Sequence, residues 1–233
     1  MVDSLSCSTA SGELSKAIKI GGIVEQSNNR TQAILSWQRH ANIDLRVEQD
    51  EGYRYLVLNG QRQSQMQLQQ PASPCYPHLQ ILLAWLADKN WQHVLQLGLG
   101  GGEFSRVFAA RWSERQLTSV EREPLIVAAY QQFFRPQAHA NETLICADAS
   151  EFACLAYQQH KSFDLIFVDI YPWPENWQTL MQGLLQIRAA PAWICINLPG
   201  QQPPEWQQFW QSVQVRLQCY PVPGYKNQLW LGA

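Results

Sequence analysis

Between His93 and Asp169 the chain repeats one pattern: a short, nearly continuous apolar run, then a longer amphipathic segment. The runs HVLQLGL, QLTSVE, TLICAD and FDLIFVDI alternate with GEFSRVFAARW, PLIVAAYQQFF and SEFACLAYQQ, and the alternation continues through NWQTLMQGLLQIR and PAWICINLPG. Runs apolar on both faces belong to strands covered on both sides, and intervening segments of helical length supply the right-handed crossovers that parallel strands require. The first junction is the glycine turn Gly98-Leu99-Gly100-Gly101-Gly102, placed between a strand and a helix. The expected core is therefore an α/β, Rossmann-like nucleotide-binding unit.

The flanks modify that core. After Pro203 and Pro204 come one helical segment, EWQQFWQSVQ, and two strand-like runs, VRLQCYPV and NQLWLG, joined through Pro223-Gly224. A link that short permits only an antiparallel pair. A mostly parallel sheet closed by a C-terminal antiparallel hairpin resembles the class I methyltransferase layout. Upstream, IDLRVEQ, YRYLVLNG and QRQSQMQLQ alternate in hydropathy and are separated by Asp50-Glu51-Gly52 and Asn59-Gly60, which predicts a small β-meander of three strands from Ile43 to Gln69. The polar segment before it reads as a loose arm. The expected organisation is an arm over 1–35, a small β-domain over 36–70 and a Rossmann-like nucleoside-binding domain over 71–233. SPCYPHLQILLAWLADKN links the last two, with Leu79, Leu82, Leu83 and Leu86 striping a helix that starts near Pro77.

Composition excludes several function classes. With 46% hydrophobic and 15% charged residues the chain can bury a core, and a formal net charge of −2 without a basic run gives no footprint for nucleic acid or an anionic membrane. No stretch has membrane-spanning length and the N-terminus lacks a secretion signal, so a cytoplasmic protein is expected. The six cysteines form no C-x-x-C pair and no metal-ligand cluster; they read as reduced and structural, and no metal is expected.

Three carboxylates give the unit its chemical character. Glu121 closes the second strand run, Asp148 the third and Asp169 the fourth, at the carboxyl ends where open α/β sheets bind ligands. A glycine turn also serves as a plain strand-to-helix connection, and Asp148 before Ala149-Ser150-Glu151 also reads as a helix N-cap. No Walker-type lysine follows the glycines, and a carboxylate-rich site repels phosphate. A cationic nucleoside suits it better than a triphosphate.

Taken together, YLVLNGQRQ, CYPHL, VLQLGLGGGEFSR, SVERE, ICADASEF and FDLIFVDIYPWPE resemble the spermidine synthase (polyamine aminopropyltransferase) family, from about Ile43 to the C-terminus. The resemblance implies S-adenosylmethionine or its decarboxylated form as cofactor, with S-adenosylhomocysteine or methylthioadenosine as product, a small acceptor with an amine among the candidates, and pairing as a homodimer. It implies a nucleoside held by Gly98, Gly100 and Gly102, by Gln63 near the cofactor tail, by Glu121 at the ribose, and by Asp148 with the Ala149 amide at the adenine. Asp169 would take the proton from the attacking amine and Tyr76 would orient it.

The sequence departs from the family where the diamine would sit. Gly101 replaces an Asp, Pro172 replaces an acid three residues after Asp169, and Pro77-His78 follows Tyr76 where a Glu belongs. Glu103 is either a displaced carboxylate or a first-turn acid facing the helix dipole. Tyr171, Trp173 and Trp177 either wall the substrate pocket or cover the sheet edge, and His78 is either a pocket residue or a solvent-facing one. Three activities follow as alternatives: aminopropyl transfer with rearranged acids, methyl transfer with the cofactor carboxylate held near Gln63 and Arg106, or nucleoside binding without catalysis.

Overall fold

The computed structural model describes residues 25–27, 30–136 and 139–233. An antiparallel meander comes first: β1 (Glu25–Ser27), β2 (Arg30–His40), β3 (Ile43–Gln49), β4 (Tyr53–Leu58) and β5 (Gln61–Gln67), hydrogen-bonded in that order. Two of these strands were not expected. β2 pairs with β3 from Ala33 opposite Gln49 to His40 opposite Ile43, and it crosses the boundary at 35 between the expected arm and β-domain. Its burial explains the miss, because none of the residues described from Gln32 to His40 is fully buried and no clean alternation marks an inner face. The rest of the expected arm, residues 1–24 and 28–29, lies outside the described residues.

After α1 (Pro77–Leu86) the core follows the predicted order: β6 (His93–Leu97), α2 (Glu103–Arg111), β7 (Gln116–Glu121), α3 (Pro124–Ala129), β8 (Glu142–Cys146), α4 (Ala149–Gln158), β9 (Phe163–Val168), α5 (Trp177–Gln186), β10 (Arg188–Leu198), α6 (Trp206–Ser212), β11 (Leu217–Pro221) and β12 (Gln228–Gly232). The sheet runs β11-β12-β10-β9-β6-β7-β8, parallel from β10 to β8 and antiparallel at the β12 and β11 end. This is the class I methyltransferase-type sheet, preceded by a β-meander. The chain leaves β6 towards β7 and later returns to its other side as β9, so a crevice opens above the paired β6 and β9 ends, where their outgoing connections part to opposite sides. One face carries α4, α5 and α6 through Phe152, Leu180, Leu184, Trp206 and Trp210, and the other carries α1 and α2 through Leu79, Leu82, Leu86, Phe104 and Phe108.

The segment expected as one helix from Pro124 to Phe134 changes pitch: α3 passes into a π-helical turn over Tyr130–Phe134. The wider turn carries Tyr130 onto Gly102, where an added Cβ would lie 2.1 Å from the ring, and Gly102 has a left-handed φ of 68°. The Tyr130 hydroxyl donates to the Glu142 carboxylate, which also pairs with Arg135 at 3.1 Å. Leu45, Val47, Leu56 and Met66 of the meander pack on Leu125, Ile126, Tyr130 and Phe134, so the two sheets share a core.

Arg106 ties this junction together. Its buried guanidinium donates from Nε to the Pro71 carbonyl at 2.7 Å, from Nη1 to the carbonyls of Gly101 and Phe134, and from Nη2 to the Gln65 carbonyl at 3.3 Å. Burial lowers its pKa to about 10, so it stays a cation at neutral pH. Four backbone carbonyls, three of them 28 to 41 positions away in sequence, thus end on one planar fork, a geometry that lysine cannot reproduce. Arg106→Met is expected to destabilise the fold by roughly 3 kcal/mol or more in urea unfolding, because the four carbonyls lose their donor, and Arg106→Lys should recover only part of that loss.

Candidate functional site

A cavity of about 410 Å³ opens at the carboxyl ends of β6, β7 and β9, roofed by the β4–β5 hairpin and the start of α1. Its wall includes Gln63, Tyr76, His78, Gly98, Gly100, Glu103, Glu121, Asp148, Ala149, Asp169 and Tyr171, so most of the residues singled out as site candidates meet in one space. Gly102, Arg106, Trp173 and Trp177 do not line it. Gly102 faces the Tyr130 ring instead.

The floor is set by close backbone approach. Gly98 has a φ of 87°, and an added Cβ there would stand 2.0 Å from the Asp169 carbonyl oxygen. The Gly98 amide donates to the Val120 carbonyl at 2.9 Å and the Asp169 amide to the Leu97 carbonyl at 2.8 Å, which locks the ends of β6, β7 and β9 in register. Glu121 is buried at the end of β7; its Oε2 accepts the Leu99 N–H at 3.0 Å and its Oε1 the Glu123 N–H at 3.0 Å. A carboxylate has lone pairs left after two such bonds, so Glu121 is oriented by the glycine turn and still able to accept.

Asp148 has both properties that its sequence context suggested. Its Oδ1 caps α4 by accepting from the Ser150 and Glu151 amides at 2.8 and 3.3 Å, while the residue also lines the cavity. Asp169 Oδ1 accepts from Asn197 Nδ2 at 2.7 Å, and Asn197 Oδ1 accepts from Asn227 Nδ2 at 3.1 Å. The other oxygen, Oδ2, stands 3.7 Å from His78 Nε2. The reading of His78 as solvent-facing is excluded, since its side chain is only 16% exposed. Burial pulls the His78 pKa down, but the Asp169 carboxylate and the charge of Glu103 outweigh it and hold it above the usual imidazole value.

Glu103 stands in the first turn of α2 and also lines the cavity, and it has a further role that neither reading included. Its Oε1 accepts the backbone N–H groups of Cys75 and Tyr76, pinning the start of α1 beside the glycine turn. Burial raises its pKa in spite of those donors. Tyr76 stacks on His78 with ring centres 5.8 Å apart and meets Tyr225 edge-on at 6.1 Å; burial, then the Glu103 carboxylate, push its phenol pKa up. Arg106, considered for the cofactor carboxylate, is turned away from the cavity and consumed by backbone carbonyls. Trp173 and Trp177 pack on Trp206, at 6.0 and 5.2 Å between ring centres, so they build the core rather than the pocket wall. Tyr171 is the aromatic of that loop that reaches the cavity.

Sequence reasoning missed Asn197 and Ser64. Asn197 carried a signal, a lone amide in the apolar strand PAWICINL that must find a polar partner when buried. Ser64 carried none: its Oγ accepts the Gly101 N–H at 2.8 Å across 37 positions of sequence. Among the described residues no group of three His, Cys, Asp or Glu side chains is placed to hold a metal.

Comparison with known proteins agrees with this geometry at the level of family resemblance and fold. No family profile matches the chain. The chain is similar to the polyamine aminopropyltransferases of two Neisseria meningitidis strains, 30% identical over 130 residues that cover 54% of this chain and 48% of each relative. It thus matches about half the length of these curated relatives. In fold it is similar to human methyltransferase-like protein 13 in complex with SAH (TM-score 0.59, 15% identity, 68% of this chain and 82% of that one). It is similar also to a spermidine synthase in complex with the transition state analogue AdoDATO (TM-score 0.62, 12% identity, 86% and 71%).

Two outcomes are expected from this arrangement. Gly98→Ala should cost at least about 2 kcal/mol in chemical unfolding, since a side chain at positive φ would also have to displace the Asp169 backbone. His78 has a folded pKa above its unfolded one, so its contribution to stability is fully present below the unfolded value, near 6.5, and is lost as pH rises through the folded value. The difference in urea midpoint between the wild type and His78→Gln should therefore shrink from about pH 6 to about pH 9.

Proposed function

We propose that this chain is a transferase that binds a sulfonium nucleoside, S-adenosylmethionine or its decarboxylated form, at the Glu121 end of the cavity and passes an alkyl group to a small acceptor at the Asp169 end. The observation that carries this reading is the Glu121 carboxylate: buried at the end of β7, fixed by the glycine-turn amide of Leu99, and facing a cavity that Asp148 also lines. A rigid acceptor of this kind matches a pair of ribose hydroxyls, and Asp148 with the Ala149 backbone matches the edge of a base.

The residues present fit such a group. The floor at Gly98 leaves backbone where any Cβ would collide, which permits close approach, and the cavity volume lies within the range of small-molecule sites. Glu121, Glu123 and Asp148 supply negative charge that suits a cation and opposes phosphate. The sulfonium nucleoside supplies, when bound, a carbon activated towards nucleophiles by a neutral thioether leaving group.

The chain's own residues would manage the acceptor. Asp169, steadied by Asn197, is positioned to accept the proton that the nucleophile sheds, and Tyr76 with His78 bounds the space in which the nucleophile is oriented. The engagement of Arg106 with backbone carbonyls favours the decarboxylated cofactor. The cationic side chains on the cavity wall are Arg122, adjacent to Glu121 in sequence, and His78, already beside Asp169, so a cofactor carboxylate lacks a dedicated partner.

Thermal-shift and calorimetric titration with S-adenosylmethionine, its decarboxylated form and methylthioadenosine test this. The decarboxylated form and methylthioadenosine should raise the melting temperature more than S-adenosylmethionine, and Glu121→Ala should weaken their binding by about a hundredfold, the loss of two charge-assisted hydrogen bonds. If none of the three ligands shifts the melting temperature of the wild type, the proposal fails.

A further inference from the structure

Five carboxylates line the cavity: Glu103, Glu121, Glu123, Asp148 and Asp169. Glu121 and Asp148 serve the proposed nucleoside end, Asp169 the acceptor end, and Glu123 caps α3 by accepting the Leu125 N–H at 3.1 Å. That leaves Glu103, a residue only 9% exposed whose two oxygens differ. Oε1 accepts the N–H groups of Cys75 and Tyr76, the second at 3.2 Å, whereas Oε2 has no donor among the described residues. Nor is Oε2 sealed inside the protein, so it opens on the cavity.

A carboxylate oxygen largely withdrawn from water and left without a donor is costly, and native structures as a rule supply the missing partner. The neighbouring side chains do not. Arg106 spends its donors on the carbonyls of Pro71, Gly101 and Gln65, and His78 faces Asp169, with Nε2 at 3.7 Å from Oδ2. Gly101 brings no charge and leaves no room for a side chain, since a Cβ there would lie 2.8 Å from the Ser64 Cβ. The donor that Oε2 lacks therefore has to come from a ligand, and a cation suits it best.

Resting on the reading of the cavity as a sulfonium-nucleoside site, we infer that Glu103 is the residue that selects the decarboxylated cofactor: its Oε2 accepts the terminal ammonium of the aminopropyl arm. The same negative charge opposes the carboxylate that S-adenosylmethionine carries beside its ammonium, so selection works by repulsion as well as by fit. The arm is short, and whatever holds its end must stand close to the carbon under attack. Glu103 meets that requirement, because it is bonded to the backbone of Tyr76, Tyr76 stacks on His78, and His78 faces Asp169. With Oε1 held by two amides the carboxylate is oriented before the ligand arrives, which aligns the arm at little further cost in entropy.

The test is calorimetric titration at neutral pH with methylthioadenosine, with decarboxylated S-adenosylmethionine, and with the deamino analogue of the latter, whose propyl arm lacks the ammonium. The last two are both sulfonium ions, so the ratio of their affinities isolates the ammonium. The wild type should bind the aminopropyl form about tenfold or more tightly than the propyl form. Glu103→Gln keeps an oxygen for the Cys75 and Tyr76 amides and turns the cavity-facing atom into a donor, so the ratio should fall to about one while methylthioadenosine affinity stays within about twofold. Asp169→Asn, which leaves Glu103 in place, should keep the wild-type ratio. A wild type without the ammonium preference overturns the inference, as does a Glu103→Gln protein that retains it. If Glu103→Gln fails to fold, loss of the preference in Asp169→Asn overturns the inference instead, by tracing it to the other carboxylate. Methylthioadenosine separates the two levels: if it does not bind the wild type, the transferase reading falls and this inference with it, whereas its binding with a flat ammonium ratio removes only the role of Glu103.

Discussion

At the end of β6 the backbone of Gly98 lies against the Asp169 carbonyl so closely that a single methyl group would have to displace one of them. Much of the site follows from that approach. It brings β6 and β9 together at the point where the sheet reverses its winding, and it sends the Asp169 side chain into the crevice above. The Gly98 amide reaches back to Val120, and the next residue of β7, Glu121, has its carboxylate fixed by the amide of Leu99. A short glycine-rich turn therefore positions the acid at each end of the cavity, through backbone contacts that depend on no flexible side chain.

The second organising contact is between the two sheets. Gly101 donates its N–H to Ser64 of β5, and a Cβ at Gly101 would lie 2.8 Å from the Ser64 Cβ, so the Asp expected from the family resemblance has no room there. The carbonyl of the same residue accepts from Arg106, which also grips β5, the linker at Pro71 and the end of the π-helical turn. Loss of the acid and closure of the β-meander onto the glycine turn are thus two sides of one packing arrangement. The cost of burying Arg106 is offset by carbonyls, which leaves its own charge unavailable to a ligand.

Much of the fold was legible because its signals are local. Alternating apolar runs and amphipathic segments, Pro77 and Pro124 at helix starts, and Asp148 before Ala149-Ser150-Glu151 each act within one or two turns of chain. β2 was illegible because a strand half-buried on both faces has no periodicity to read, and the π-helical turn because its cause, the docking of Tyr130 on Gly102 and Glu142, lies outside its own segment. The tryptophans of the loop after Asp169 were ambiguous for the same reason: adjacency to a strand-end acid does not say which way a ring turns, and Trp173 and Trp177 turned into the cluster around Trp206.

The sequence by itself determined the order of elements, the class of sheet, and the three strand-end carboxylates Glu121, Asp148 and Asp169, because hydropathy period and strand-end position are properties of neighbouring residues. Only the tertiary structure decided which charges those carboxylates meet. That Asp169 stands between Asn197 and His78, that Glu103 is engaged at the start of α1, and that Arg106 is drawn to Pro71 and Gln65 depend on contacts across roughly 28 to 91 positions of chain, counted from Asp169–Asn197 and His78–Asp169. Electrostatic partnership is a matter of distances of a few ångströms in space, and no local pattern in the chain encodes those distances.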